Sequence, residues 1–152
     1  MWTWKINTQE NPVTINIKYL PNAHLLEQVN WGSWIDLYTY EETILKRGEQ
    51  RYINLGIAMQ LPDGYEAIMA PRSSTYKNWG LIQTNSIGII DSTYCGDNDI
   101  WMFPVYAFKD ITIPKNTRLC QFRIQKEQPK INFNRVEALN NPDRNGLGHS
   151  GL

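Results

Sequence analysis

The alternation of apolar and polar positions predicts a series of short β-strands. Residues 13–19 alternate strictly, as in a strand with one buried face. Shorter apolar segments predict further strands at residues 35–38, 52–61, 65–70, 81–82, 87–90, 100–108 and 119–124. Helical periodicity is weak except at residues 23–29 and in a single turn after Pro71. The pattern therefore favours an all-β sandwich, jelly roll or barrel.

Two turn signals interrupt this pattern. Pro62-Asp63-Gly64 predicts a hairpin between the strands at 52–61 and 65–70. Residues 88–96, Gly-Ile-Ile-Asp-Ser-Thr-Tyr-Cys-Gly, predict a strand buried on both faces that leads Asp91 and Tyr94 into a turn closed by Gly96. Asp91 is then either an ordinary turn former or a catalytic base.

The chain divides into an arm, one domain and a tail. Residues 1–12 are mostly polar and are predicted to form an N-terminal arm, whereas residues 13–139 form one β domain with a sizeable core. Residues 140–152 are too polar and glycine-rich to fold alone. We therefore expect a flexible C-terminal tail that becomes ordered on a ligand or a partner surface.

Charge and cysteine content restrict the classes of partner and compartment. Lys+Arg and Asp+Glu are both 15, so no nucleic-acid-binding surface is expected. No apolar run approaches the ~18 residues of a membrane span, and the start lacks a signal peptide's apolar region. The two cysteines form no CxxC motif. These features predict a cytoplasmic protein that binds neither nucleic acid nor membrane.

Two segments could bind an anion. Residues 70–76, Ala-Pro-Arg-Ser-Ser-Thr-Tyr, combine Arg72 with serine hydroxyls at the start of a helical turn. A capped turn with Arg72 in a structural salt bridge is the alternative. The glycines between Arg144 and Gly151 allow backbone N–H groups to wrap a phosphate, although the Gly-Lys ending of a Walker A loop is missing. A flexible terminus is the alternative there.

Metal and aromatic candidates are fewer. Asp36 and Asp91 suit Mg²⁺, which is usually held by one or two carboxylates together with phosphates and waters. The histidines have no zinc-ligand spacing with the cysteines. Trp79 and Trp101 flank the candidate segments and could provide a stacking surface.

Five segments in sequence order resemble the five motifs of the trimeric dUTP pyrophosphatase (dUTPase) family. They are residues 32–37, 71–74, 85–96, 118–121 and 144–151. Each motif alone is weak evidence for the family, but five motifs with suitable spacing are strong evidence. The resemblance covers nearly the whole chain from Val13 onward. Phe103-Pro104, and Ser-Ser-Thr-Tyr-Lys-Asn after Arg72, resemble the branch found in Gram-positive bacteria and their phages.

The resemblance implies a jelly-roll β-fold and a particular reaction. Members of the family hydrolyse dUTP to dUMP and pyrophosphate with Mg²⁺, as water attacks the α-phosphate. The resemblance also implies a homotrimer whose active sites lie between subunits, each closed by the tail of a neighbour.

The resemblance implies that residues 85–96 bind the nucleoside. Asp91 would position the 3′-hydroxyl and activate the attacking water. Tyr94 would pack against the deoxyribose and exclude a 2′-hydroxyl, so UTP would be rejected. Asn85 and the backbone of Ile89 and Ile90 would read the uracil edge.

The other motifs would hold the triphosphate and the metal. Ser73 and Ser74 would contact the phosphates near the scissile bond, with Arg72 and Gln121 in support. Asp36 would hold water on Mg²⁺. The tail residues that would wrap the β- and γ-phosphates are Arg144, Gly146, Gly148, His149 and Ser150.

Two departures from the family pattern concern the tail. Leu147 stands where many members carry an aromatic that stacks on uracil, and Asn145 stands where a glycine is usual. Aromatic stacking on uracil is then weaker, or the segment at residues 101–103 provides it.

Two other functions remain open. dCTP deaminase shares the fold and a similar Arg-Ser-Ser motif, but it needs a glutamate on the strand after the Asp91 turn, and residues 100–105 contain no carboxylate. A dUTP-responsive regulatory protein, as some phage dUTPases are thought to be, would bind a protein partner, for which the arm at residues 1–12 is a candidate.

Overall fold

The protein is almost entirely β-structure in the computed structural model, which describes residues 11–27 and 32–143. The described residues form one short helix and eleven strands. In chain order these are β1 (Asn16–Tyr19), β2 (Ile35–Tyr38), β3 (Thr43–Leu45), β4 (Gln50–Asn54), β5 (Ile57–Gln60), β6 (Tyr65–Pro71), α1 (Thr75–Trp79), β7 (Leu81–Gln83), β8 (Gly88–Ile90), β9 (Met102–Ala107), β10 (Ile111–Ile113) and β11 (Arg118–Lys126). The predicted all-β class is confirmed.

All strand pairs are antiparallel. A four-stranded sheet has the order β2-β11-β6-β8 and a three-stranded sheet the order β4-β9-β7, while β1-β5 and β10-β3 form separate pairs. Side chains from most of these strands meet in one apolar core, in which Leu37, Trp101, Phe103 and Phe122 are fully buried. The described strands close no barrel, and their arrangement agrees with the predicted jelly roll.

The predicted helical turn after Pro71 is present as α1. It follows Ser74 and ends at Gly80, whose left-handed φ of 62° stops the helix. Thr75 ties this turn to β11, because its buried hydroxyl donates to the Leu119 carbonyl at 2.8 Å and accepts from the Arg72 N–H at 2.9 Å. The helix predicted at residues 23–29 is absent over residues 23–27; the other two residues lie outside the described chain.

One predicted strand is two strands. The apolar segment at 52–61 breaks after Asn54, whose side-chain oxygen accepts the N–H of Gly56 at 2.7 Å. Gly56 has a φ of +72°, which ends the extended conformation. β4 then pairs with β9, whereas β5 pairs with β1, so the break moves the chain between sheets.

The hairpin predicted at Pro62-Asp63-Gly64 is wrong, although the turn itself is present. The Tyr65 N–H donates to the Pro62 carbonyl at 3.1 Å. The flanking strands do not pair with each other, because β5 pairs with β1 while β6 lies between β11 and β8. Turn chemistry specifies the reversal of the chain, but packing decides which strand edges meet.

None of the helices in residues 11–27 and 32–143 is long and apolar enough to cross a membrane. Both cysteines are free thiols; Cys95 is exposed and Cys120 is buried in the core.

Candidate active site

The short strand β8 carries the candidate base to the edge of the four-stranded sheet. It pairs on one side with β6, with Ile90 opposite Ala67 and Gly88 opposite Met69. Ile89 is 55% exposed, so the prediction of a strand buried on both faces is wrong. The reason is that β8 is the last strand of its sheet in the described chain, which leaves one side and one face open. This exposure makes the backbone beside Asp91 accessible to a ligand.

A cleft of about 470 Å³ opens beside β8, within the usual range for small-molecule sites. It brings together the predicted residues Asn85, Ile89, Ile90, Asp91 and Tyr94. The rest of its wall includes side chains from β4, from β9 and from the two residues before β9: Tyr52, Ile100, Trp101, Met102 and Pro104.

The Asp91 carboxylate is oriented by the turn that follows it. Its Oδ1 accepts the Thr93 N–H at 2.7 Å, and its carbonyl accepts the Tyr94 N–H at 3.0 Å. Hydrogen bonds from the hydroxyl and the backbone N–H of Thr93 hold the pKa of the Asp91 carboxyl below its usual range. Asp91 is therefore an ionised, exposed acceptor at neutral pH, suited to orienting a hydroxyl group and a water.

The ring of Tyr94 is a fixed wall of the cleft. Its hydroxyl donates to the Ile100 carbonyl at 3.1 Å. The loop between them is held by the Gly96 N–H, which donates to Asp99 Oδ2 at 2.7 Å. Because both ends of the ring are anchored, a group that collides with it cannot simply push it aside.

The amide of Asn85 is also oriented by a neighbour. Its Oδ1 accepts a hydrogen bond from Gln83 Nε2 at 2.9 Å, and the same nitrogen donates to the Met69 carbonyl at 3.2 Å. Gln83 was not singled out in the sequence.

A second cluster surrounds Asp36 on β2. Asp36 Oδ1 lies 2.9 Å from Arg72 Nε, and Oδ2 lies 3.7 Å from Arg118 Nη1. Gln121, opposite Asp36 on β11, donates to the Pro71 carbonyl at 3.1 Å. Two guanidinium groups share one carboxylate, so this cluster keeps a positive charge and suits an anion.

The predicted phosphate-contacting serines adjoin this cluster. Ser73 is exposed, and Ser74 precedes α1 without making a side-chain capping hydrogen bond. The Ser74 side chain therefore does not cap the helix, whereas the structural alternative for this segment was a capped turn. The salt bridge of Arg72 to Asp36 is present, so the structural alternative and an anion-binding role are compatible at this residue.

The surroundings of Asp36 suit Mg²⁺ that is bound together with a polyphosphate. Both Asp36 oxygens face guanidinium groups, which disfavours direct ligation but leaves lone pairs for a metal-bound water. In the part of the chain that the structure describes, no group of three or more His, Cys, Asp and Glu side chains could hold a metal ion. Mg²⁺ commonly binds through substrate phosphates and waters with few protein carboxylates.

The two clusters lie at opposite ends of β6. Asp91 directly follows Ile90, the partner of Ala67 near the start of β6, whereas Arg72 directly follows the end of that strand. Arg72 lies five positions after Ala67, which at ~3.3 Å per residue is about 17 Å. One copy of the chain therefore does not bring the candidate base and the arginine cluster together.

The aromatic surface differs from the prediction. Trp101 is 1% exposed and Phe103 is fully buried, so the segment at 101–103 presents no ring on which a base could stack. Trp79 is partly buried against the core. Besides Tyr94, the exposed ring that lines the cleft is Tyr52, at 74% exposure. Its alternation with buried Ile53 on β4 is the sequence signal that could have identified it.

The tail residues lie outside the described chain. These are Arg144, Asn145, Gly146, Leu147, Gly148, His149 and Ser150. Their assigned roles stay predictions.

The family model described as dUTPase matches residues 33–151. The chain belongs to the dUTPase family. It is 50% identical over 138 residues to the SPbeta prophage-derived deoxyuridine 5′-triphosphate nucleotidohydrolase YosS of Bacillus subtilis, covering 90% of this chain and 97% of that protein. It is 38% identical over 126 residues to the deoxyuridine 5′-triphosphate nucleotidohydrolase of Finegoldia magna, covering 79% and 85%. The family predicted from the five motifs is confirmed.

Solved dUTPase structures share the fold. A mutant dUTPase of Staphylococcus bacteriophage 80alpha with dUpNHpp has a TM-score of 0.76 at 19% identity, covering 91% of this chain and 99% of that chain. A mutant dUTPase of phage phi11 of S. aureus, described with a structural Mg(II) ion, has a TM-score of 0.71 at 17% identity, covering 83% and 98%. The predicted similarity to the phage and Gram-positive branch of the dUTPase family is confirmed.

Proposed function

We propose that the protein is a dUTP diphosphatase that hydrolyses dUTP to dUMP and pyrophosphate by attack of water at the α-phosphate. The observation that carries this proposal is the cleft beside β8, where Asn85, Asp91 and Tyr94 lie together in a member of the dUTPase family. The relatives from Bacillus subtilis and Finegoldia magna are named for this activity.

The cleft suits a deoxynucleoside. Asn85 and the exposed backbone of Ile89 and Ile90 read the uracil edge, because a base with the wrong donors would leave polar groups unpaired. The anchored ring of Tyr94 packs against the deoxyribose and leaves no room for a 2′-hydroxyl. Asp91 holds the 3′-hydroxyl and orients the attacking water.

The second cluster suits the triphosphate. Arg72, supported by Gln121, lies with Ser73 and Ser74 where phosphate oxygens could be bound by a guanidinium and two hydroxyls. Asp36 would hold a water of Mg²⁺, and the metal would supply charge stabilisation to the phosphates. The tail from Arg144 to Ser150 covers the β- and γ-phosphates.

The distance between the clusters supports the proposal of a homotrimer with shared sites. Since Arg72 lies about 17 Å along β6 from Ala67, next to Asp91, we propose that Asp91 of one copy meets the arginine cluster of another. The segment after β11 supports such an assembly, because Phe133 is 95% exposed and Leu139 is 79% exposed in the isolated chain. Sedimentation should give three copies; a stable monomer with full activity would exclude sharing.

We place the enzyme in the cytoplasm, since both cysteines are free thiols.

Pyrophosphate release measured with dUTP, UTP, dTTP and dCTP, each with and without Mg²⁺, tests the activity. We expect release from dUTP to be much faster than from the other three nucleotides, with strong stimulation by Mg²⁺. Ammonia release from dCTP would instead indicate a deaminase, against which the absence of a carboxylate on β9 argues. Tight dUTP binding without hydrolysis would favour the regulatory function, which the described residues do not otherwise favour.

Replacing the candidate base tests its role. Asp91→Asn should lower pyrophosphate release by about 10²–10⁴-fold while dUTP binding survives. Asp97→Asn is the matched control, because Asp97 lies in the same loop but pairs with Lys18 outside the cleft. Near-normal turnover by Asp91→Asn would remove Asp91 from this role.

A further inference from the structure

We infer that Gln83 is a positioning residue that makes the cleft prefer a pyrimidine with a carbonyl at position 4 over one with an amino group there. It does so by fixing which end of the Asn85 amide faces the base. This inference rests on the proposed function, in which Asn85 reads the pyrimidine edge.

The orientation of the Gln83 amide follows from its partner on β6. The Met69 carbonyl can only accept a hydrogen bond, so the Gln83 group that lies 3.2 Å from it must be the NH₂ group. A reversed amide would place two acceptor oxygens against each other. The Gln83 side chain is 7% exposed and cannot reorient toward solvent.

Close packing encloses the Gln83 amide. A Cβ on Gly88 would lie 3.2 Å from Gln83 Nε2 and 3.2 Å from Met69 Cβ, so the glycine backbone closes directly over the amide. Gln83 is thus enclosed between β6 and β8, the strand that leads to Asp91.

The orientation of the Gln83 amide in turn fixes that of the Asn85 amide. The second hydrogen of Gln83 Nε2 is donated to Asn85 Oδ1 at 2.9 Å. Because that oxygen is engaged, the Nδ2 group of Asn85 is the end left for the cleft. Nδ2 can donate to the 4-carbonyl of uracil, but it cannot accept from the 4-amino group of cytosine.

The energetics argue against a purely structural role for Gln83. Its Oε1 is buried and has no hydrogen-bond partner among the described residues. A buried acceptor left unpaired costs stability, and an apolar side chain of similar size would avoid that cost. The orientation that Gln83 imposes on Asn85 gives a reason for a polar residue here.

The test is the ratio of kcat/KM for dUTP to kcat/KM for dCTP in Gln83→Leu, which removes both donors at similar volume. We expect the ratio to fall roughly tenfold, because Asn85 can then turn its oxygen to the cleft. Gln83→Met, an unbranched side chain without donors, provides a second variant if Gln83→Leu fails to fold. Ile82→Val, on the same strand, is the control and should leave the ratio unchanged.

A double-mutant cycle separates positioning from packing. In an Asn85→Ala background, Gln83→Leu should have no further effect on the ratio. Equal losses with dUTP and dCTP, which leave the ratio unchanged, would overturn the inference. An unchanged ratio in Asn85→Ala alone would also overturn it, by showing that Asn85 does not read the base.

Calorimetric binding of dUMP and dCMP gives a readout that does not depend on hydrolysis. The same fall in preference is expected for Gln83→Leu there. If the wild-type protein releases no pyrophosphate from dUTP, the proposed function fails, whereas the binding preference still decides the role of Gln83.

Discussion

At the scale of single residues, one neighbour, Thr93, governs the charge of Asp91. The hydroxyl and the N–H of Thr93 lower the pKa of the Asp91 carboxyl, so the carboxylate stays ionised to lower pH than an ordinary aspartate. Thr93→Val removes the hydroxyl and keeps the N–H at 2.7 Å. The pKa should rise toward its usual value, and the acid limb of kcat/KM for dUTP should move to higher pH.

A pH–rate profile from acid to neutral pH measures this shift. Activity at neutral pH should change little, because Asp91 is ionised there in both proteins. Thr93→Ser, which retains a hydroxyl, should keep the wild-type acid limb. Coincident profiles for Thr93→Val and wild type would show that the hydroxyl does not tune the carboxylate.

Selection of the sugar depends on the anchored ring of Tyr94. Tyr94→Ala should raise the rate with UTP relative to dUTP by at least about tenfold, because the wall beside the sugar is removed. Tyr94→Phe keeps the ring but loses the hydrogen bond to Ile100, so its effect should be intermediate. Competition between the two nucleotides measures the ratio, and equal ratios in all three proteins would refute the steric explanation.

The spatial proximity of residues within one motif could be predicted from the sequence, whereas that of residues on separate strands could not. Asp91 and Tyr94 share one turn whose chemistry is local, so their proximity in the cleft follows from the motif. Tyr52 lines the same cleft from β4, and Gln83 contacts Asn85 from β7; both strands belong to a different sheet from β8. The alternation on β4 indicates that Tyr52 is exposed, but only the packing of the two sheets places its ring beside Asp91.

At the scale of elements, strands were predicted from alternation at residues 13–19 and from short apolar segments elsewhere. β3 and β10 were missed; they have three residues each, and in both an apolar residue stands beside a threonine. They pair only with one another in the described sheets. The break between β4 and β5 was missed because an apolar run continues across it, although the chain changes sheets there.

Gly56 makes that change of sheet possible. Its φ is +72°, and an added Cβ would lie 2.7 Å from Tyr40 Cδ2 and 3.0 Å from Ala23 Cβ. Gly56→Ala should therefore combine backbone strain of about 1–2 kcal/mol with overpacking of about 1–3 kcal/mol. Thermal unfolding at fixed protein concentration measures the loss as a lower Tm.

Gly64→Ala is the matched control for Gly56→Ala. Gly64 has a φ of +79°, but its added Cβ would meet nothing within 4 Å, so only the strain applies. The Tm should fall clearly less than in Gly56→Ala. Equal losses in the two variants would show that the crowding against Tyr40 relaxes without cost.

At the scale of the whole molecule, the site is divided between two ends of one strand. The motifs predicted which residues participate, because each carries local chemistry. They could not give the separation of about 17 Å along β6 between Arg72 and Ala67, the partner of Ile90 just before Asp91, because it depends on the antiparallel pairing of β6 with β8. The proposed homotrimer would bring the two residues together from different copies of the chain.

Mixed trimers test this division directly. Asp91→Asn chains and Arg72→Gln chains are co-expressed with different tags, and trimers that carry both tags are purified. In a cyclic trimer that contains both kinds of chain, a single junction joins an intact Asp91 to an intact Arg72 of the next copy. We expect about one third of the wild-type rate of pyrophosphate release, although each variant alone is nearly inactive.

The matched control replaces the Arg72→Gln chain with a chain that carries both substitutions. No copy in those mixed trimers retains Asp91, so the rate should remain at background. If the doubly tagged trimers of single variants also remain at background, Asp91 and Arg72 act within one copy. In that case the separation along β6 would have to be closed by a rearrangement of the chain itself, since the antiparallel register keeps the two residues at opposite ends of the strand.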